Sequence, residues 1–168
     1  GSVSCWGYGG SGQLGNGGTS NQYSPTLTSS LGTGRTAVAV SSGADHTCAL
    51  LDNGSVSCWG YGDFGQLGNG GNSDQNSPTL TSSLGRGAVA LSSGQDHTCA
   101  ILDNGSVSCW GDGGYGRLGY GGTSQQNSPT LTSSLGIGRT AVALASGQEY
   151  TCAILDNGSV SCWGYGGY

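Results

Sequence analysis

The sequence predicts an all-β chain, a β-propeller-type array of four-stranded antiparallel blades. Three observations carry this. The phrase Leu-Asp-Asn-Gly-Ser-Val-Ser-Cys-Trp-Gly at residues 51–60 returns at 102–111 and 155–164, and its tail opens the chain at residues 1–7. The tryptophans at 6, 59, 110 and 163 set a period of 53, 51 and 53 residues, the length of one supersecondary unit in a propeller or solenoid. No segment carries apolar residues at helical spacing, whereas each repeat holds four short strand-like runs.

One repeat, from Arg35 to Leu84, shows the order of elements. Residues 36–40, Thr-Ala-Val-Ala-Val, read as an inner strand that is apolar on both faces and sandwiched between neighbouring sheets. Ser41-Ser42-Gly43 turns the chain. Residues 47–51 and 55–59 form a hairpin, a glycine-rich loop follows from Gly60 to Gly71, and residues 78–81 give a short outer strand. Pro78 is tolerated there because an edge needs fewer backbone donors. The 168 residues divide into a partial blade 1–31, blades 32–84 and 85–135, and a partial blade 136–168. About three repeats are fewer than the roughly four to eight blades that close a ring. The expectation is a window on a longer array or a portion of a larger assembly.

The hairpin carries a staple. Cys48 and Cys58, Cys99 and Cys109, and Cys152 and Cys162 are each ten residues apart around Asp-Asn-Gly. A two-residue Asn53-Gly54 turn would place Cys48 opposite Trp59. A three-residue loop ending in glycine, which accepts a left-handed backbone, places Cys48 opposite Cys58. Directly opposed strand residues come close enough to bond after a small adjustment. The expectation is three cross-strand disulfides, each contributing a little under about 3 kcal/mol on the chain-entropy view. Zinc thiolates favour closer Cys-x2-4-Cys spacing. Disulfides imply an oxidising compartment, so the chain is expected to be secreted or on a cell surface. Cys5 is left over, and its partner would lie about ten residues before Gly1.

The linked motifs carry a resemblance. Gly-x-x-His-Thr, Leu-x-Asn-Gly-x-Val-x-x-Trp-Gly, Gly-Gln-Leu-Gly-x-Gly and a proline before a short apolar strand resemble the repeat of the regulator of chromosome condensation family, along the whole chain. The resemblance implies a propeller, commonly of seven blades, and the paired cysteines are similar to secreted bacterial members more than to nuclear ones. Two departures stand out: Tyr150 replaces the histidine of positions 46 and 97, and Arg117 replaces the glutamine of position 66.

Composition narrows the function. The chain has no lysine, four arginines and nine acids, a net charge of −5. Without a basic patch it is not expected to bind nucleic acid. No run of about 18 apolar residues is present to span a membrane. The Gly-x-Gly-x-x-Gly matches at 7–12, 60–65 and 111–116 are not followed by the helix that dinucleotide binding requires. Asp45-His46 and Asp96-His97 beside serines could suggest a hydrolytic triad, but the third repeat reads Glu149-Tyr150, so the histidine reads as a strut between blades. No metal ligand set and no cofactor are expected. Trp59, Trp110 and Trp163 read as core anchors rather than sugar platforms. Tyr8, Tyr61, Phe64, Tyr115, Tyr120 and Tyr165 lie in the glycine-rich loops and are the contact candidates. Asn53, Asn104 and Asn157 head Asn-Gly-Ser sequons at hairpin tips, where Asn-Gly also serves the turn.

The function expected is a non-enzymatic extracellular scaffold, with a structural or multivalent role at a cell surface or in a fibre. Near-identical loops at 19–22, 72–75 and 123–126 suit repeated contacts with protein, with further copies of the array, or with glycans. The alternatives are a secreted inhibitor or adhesin that binds one partner and, from the family resemblance, an exchange factor for a small GTPase.

Overall fold

The computed structural model describes residues 1–167. Two complete four-stranded antiparallel sheets stand at the centre. One runs β3 (Ala37–Ser42), β4 (His46–Leu51), β5 (Val56–Gly60) and β6 (Gln75–Leu80). The next runs β7 (Ala88–Ser93), β8 (His97–Leu102), β9 (Val107–Gly111) and β10 (Gln126–Leu131). They are flanked by a two-stranded sheet, β1 (Ser4–Gly7) with β2 (Gln22–Leu27), and a three-stranded one, β11 (Ala141–Ser146), β12 (Tyr150–Leu155) and β13 (Val160–Gly164). The sole helical piece among the described residues is a single 3-10 turn, Gly114–Gly116.

The hairpin follows the three-residue reading. Leu51 N–H donates to Ser55 O at 2.8 Å, Gly54 N–H to Leu51 O at 2.9 Å, and Gly54 sits at φ +79°. A side chain there would be strained, and its Cβ would come 2.9 Å from the Gly87 backbone of the next repeat. This turn fixes the register, so Cys48 faces Cys58, Cys99 faces Cys109 and Cys152 faces Cys162. All three pairs are bonded, with Cα atoms 4.1 Å apart.

The core lies between sheets, and there is one core at each junction. Cys48, Leu50, Val56 and Cys58 meet Ala88, Ala100 and Trp110 of the next sheet. Cys99, Ile101, Val107 and Cys109 meet Ala141, Ala153 and Leu155. Val3 meets Ala49, Leu51 and Trp59. Alternate residues of β4 therefore serve two different cores, and every residue of β4, β5, β8 and β9 is buried.

One expectation holds at the centre of the array and another changes. The inner strand β7 is sandwiched, lying between β3 and β11 with Leu91 against the core on one side and Ala90 against the core on the other. In contrast, β3 packs on β7 alone among the inner strands, so Val38 is 63% and Val40 55% exposed. The outer strand starts earlier than Pro78. In β6, Gln75 pairs with Gly60 and Thr79 with Cys58, so three residues oppose Trp59 alone. Pro78 occupies that bulge, where its missing N–H interrupts no ladder bond.

Candidate functional site

The strands run between two faces of the array. One, the tip face, holds the hairpin turns at 52–54, 103–105 and 156–158 and the connections at 81–87 and 132–140. The other, the loop face, holds the glycine-rich loops at 8–21, 61–74 and 112–125 and the turns at 43–45, 94–96 and 147–149.

A repeated joint fixes the loop face. The main-chain carbonyl of Gln66 accepts the Trp110 indole N–H at 2.9 Å and the Thr98 hydroxyl at 3.1 Å. Thr98 has only one proton and gives it to that carbonyl, so its oxygen accepts from His46 Nε2 at 2.8 Å. The imidazole is thus the Nε2-protonated tautomer. The next junction repeats this with the Arg117 carbonyl, Trp163, Thr151 and His97. At the first, the Gln13 carbonyl holds Trp59 and Thr47. Gly68 is obligatory at the joint, since a Cβ would stand 2.7 Å from the Trp110 ring. Burial holds the His46 pKa down at about 3, helped by His97, and that of His97 at about 4, helped by Arg117. These neutral, enclosed imidazoles join blades and reach no cleft where they could act as bases.

The loops above are braced from within. Gly62 N–H donates to Asp74 Oδ1 at 2.9 Å and Phe64 N–H to Gln66 Oε1 at 3.0 Å. Of the contact candidates, the structure brings Tyr61 and Phe64 edge to face at 6.0 Å, and Tyr115 and Tyr165 together at 4.8 Å. Tyr8 and Tyr115 are 64% and 60% exposed. Tyr120 instead braces its own loop, with its hydroxyl bonded to both N–H and C=O of Ser124.

Sequence reasoning marked Arg117 only as a departure from the repeat and missed what it binds. Its side chain is buried, 3.2 Å from Asp112 and 3.9 Å from Glu149, and its guanidinium lies 5.9 Å from the Tyr115 ring centre. The signal was a double change at one junction: Gln66 becomes Arg117 where Asp96 becomes Glu149. At the first junction the same positions hold an uncharged donor on the carboxylate, with Gln13 Nε2 donating to Asp45 at 3.1 Å.

On the tip face, Asn53, Asn104 and Asn157 are exposed, and each Oδ1 accepts the N–H of the serine two residues on at 3.1 Å. Cys5 is a half-buried free thiol whose pKa is pushed up by burial, which disfavours the reactive thiolate. Among the described residues no group of three or more histidine, cysteine or carboxylate side chains is placed to hold a metal, and no helix is long and apolar enough to cross a membrane.

The family model for the "Regulator of chromosome condensation (RCC1) repeat" matches residues 1–50, 53–101 and 104–154, and a second model of the same repeat matches 37–66, 88–117 and 141–168. The chain belongs to the RCC1-repeat family. Among RCC1-repeat relatives, it is 38% identical over 168 residues to the ultraviolet-B receptor UVR8 of Arabidopsis thaliana, covering 99% of this chain and 38% of the receptor. It is 37% identical to the human E3 ubiquitin-protein ligase HERC2, over 96% of the chain and 3% of the ligase. The crystal structure of Prp20p from Saccharomyces cerevisiae superposes with a TM-score of 0.83 at 26% identity, over 98% of this chain and 41% of that one. Human WBSCR16 gives 0.80 at 26% identity, over 93% and 40%. The chain is thus a partial RCC1-type propeller, spanning less than half the length of these relatives.

Proposed function

We propose that this RCC1-repeat chain is a non-catalytic scaffold that works outside the reducing cytosol and presents several copies of one surface, in a structural or multivalent binding role. The observation that carries the reading is the disulfide inside each of the three hairpins, combined with joints and loops that recur from blade to blade. The bridges favour an oxidising compartment, and recurrence favours binding through many equal contacts. The relatives support protein binding more generally, since Prp20p has binding properties toward Gsp1p and histones. Asn53, Asn104 and Asn157, exposed at the tips, would accept N-linked glycan in such a compartment.

Weighing intact complexes captured from culture medium tests the reading. Several partner copies per chain, or ordered assemblies of the chain itself, are expected. One partner held at one-to-one ratio would replace it with an inhibitor or adhesin. Accelerated nucleotide release from a small GTPase would replace it with an exchange factor.

A further inference from the structure

The charges of this chain are divided between its two faces. Arg35, Arg86 and Arg139 lie on the tip face, each paired with the aspartate of a hairpin turn, Asp52, Asp103 and Asp156. That face is neutral in its side chains. The other six acids, Asp45, Asp63, Asp74, Asp96, Asp112 and Glu149, all belong to the loops and turns of the loop face, where the only cation is the buried Arg117. The whole net charge of −5 is therefore concentrated at one end of the sheets.

The carboxylates sense one another. The Asp96 pKa is raised, first by burial, and the carboxylates of Asp112 and Asp45 push the same way against the Gln95 hydrogen bond. The Tyr61 hydroxyl is raised by its bond to Asp63, with Asp74 and Asp96 adding to it. The exposed aromatic rings are on this face as well. Tyr8, Phe64, Tyr115 and Tyr165 stand on its loops, while the large apolar residues exposed at the tip face, Leu27, Leu80, Leu131 and Ile137, are aliphatic.

A second observation shows what such a surface holds. Arg117 is already bound this way within the chain, its guanidinium between Asp112 and Glu149 and beside the Tyr115 ring. Carboxylates paired with ring faces are complementary to guanidinium ions, which stack as well as hydrogen-bond.

We propose that the loop face is a docking surface for a basic, arginine-rich polypeptide segment, whose guanidinium groups lie on the exposed tyrosines between the loop carboxylates. The proposal rests on the scaffold reading and names the partner class. Recurrence of the loops lets one long basic segment cross several blades, or several short ones bind side by side.

The test uses the full native chain and a fluorescein-labelled peptide of six Arg-Gly repeats, read by fluorescence anisotropy. The peptide should bind, a Glu-Gly peptide of equal length should not, and binding should weaken several-fold between 50 and 300 mM salt as the Debye length shortens. The variant Asp63→Asn, Asp74→Asn, Asp96→Asn should bind roughly tenfold more weakly, since each exposed ion pair contributes at most a factor of about five. Asn21, which already does at position 21 what Asp74 does in the next repeat, shows that asparagine keeps the loop brace. Asp52→Asn, Asp103→Asn, Asp156→Asn removes the same charge from the tip face and should leave binding within about twofold. Tyr8→Ala with Tyr115→Gly should weaken it several-fold at unchanged charge. No binding, or equal losses from the two aspartate sets, would overturn the proposal. Binding of one peptide per chain with the face preference intact would support it while counting against multivalency.

Discussion

The joints on the Gln66 and Arg117 carbonyls each rest on three side chains, a tryptophan, a threonine and a histidine, and their contributions can be separated. Trp110 is fully buried and its N–H is spent on Gln66 O, whereas Trp6, at the same place in the first repeat, is 60% exposed. Trp110→Ala should cost about 3–5 kcal/mol in urea unfolding, and Trp6→Ala under about 1 kcal/mol. Equal losses would mean that the joints are not the source of stability. The histidines give a pH signature. In the unfolded chain both titrate near 6.5, but folded His46 and His97 resist protonation down to about 3 and 4. Between pH 6.5 and 4 the unfolded state therefore binds more protons, and stability falls as pH drops, by up to about 1.4 kcal/mol per pH unit for each imidazole. Above pH 6.5 they add no slope. Thermal unfolding across this range should show the loss, and His46→Gln with His97→Gln should flatten it. An unchanged slope in that variant would place the acid sensitivity elsewhere.

At the scale of the hairpin, the same bridge meets two environments. Cys48–Cys58 and Cys99–Cys109 are fully buried, with Cys48 Sγ 3.8 Å from Thr98 Oγ1 and Cys99 Sγ 3.8 Å from Thr151 Oγ1 of the following sheet. Cys162 is exposed and Cys152 half-buried. Thiol exchange needs access to sulfur, so mild reductant should open Cys152–Cys162 first in the 168-residue chain. Timed alkylation and peptide mass mapping would read the order, and simultaneous opening would contradict it. The hairpin is also where the sequence was most legible. Asp-Asn-Gly between cysteines ten apart admits one turn that opposes the sulfurs, because side chains alternate with a period of two. The outer strand was less legible: the proline marked an edge, but the bulge that absorbs it depends on its partner strand.

The whole molecule is one unit repeated, with a core at each junction rather than within each sheet. The period of the tryptophans revealed the repeat, and the alternating alanines identified the inner strand. The exposure of Val38 and Val40 in β3 could not be read from the chain, because Ala-Val-Ala-Val looks alike whether one side or both are covered. Nor could the division of charge between faces, since Asp52 and Asp63 lie eleven residues apart in sequence and on opposite ends of a sheet. The central claim is that every blade is closed by its own bridge. Non-reducing digestion and mass mapping of protein taken from its native source, with thiols blocked at harvest, tests it most directly. The account predicts the linked pairs Cys48–Cys58, Cys99–Cys109 and Cys152–Cys162; free thiols at those positions, or bridges joining different repeats, would contradict it.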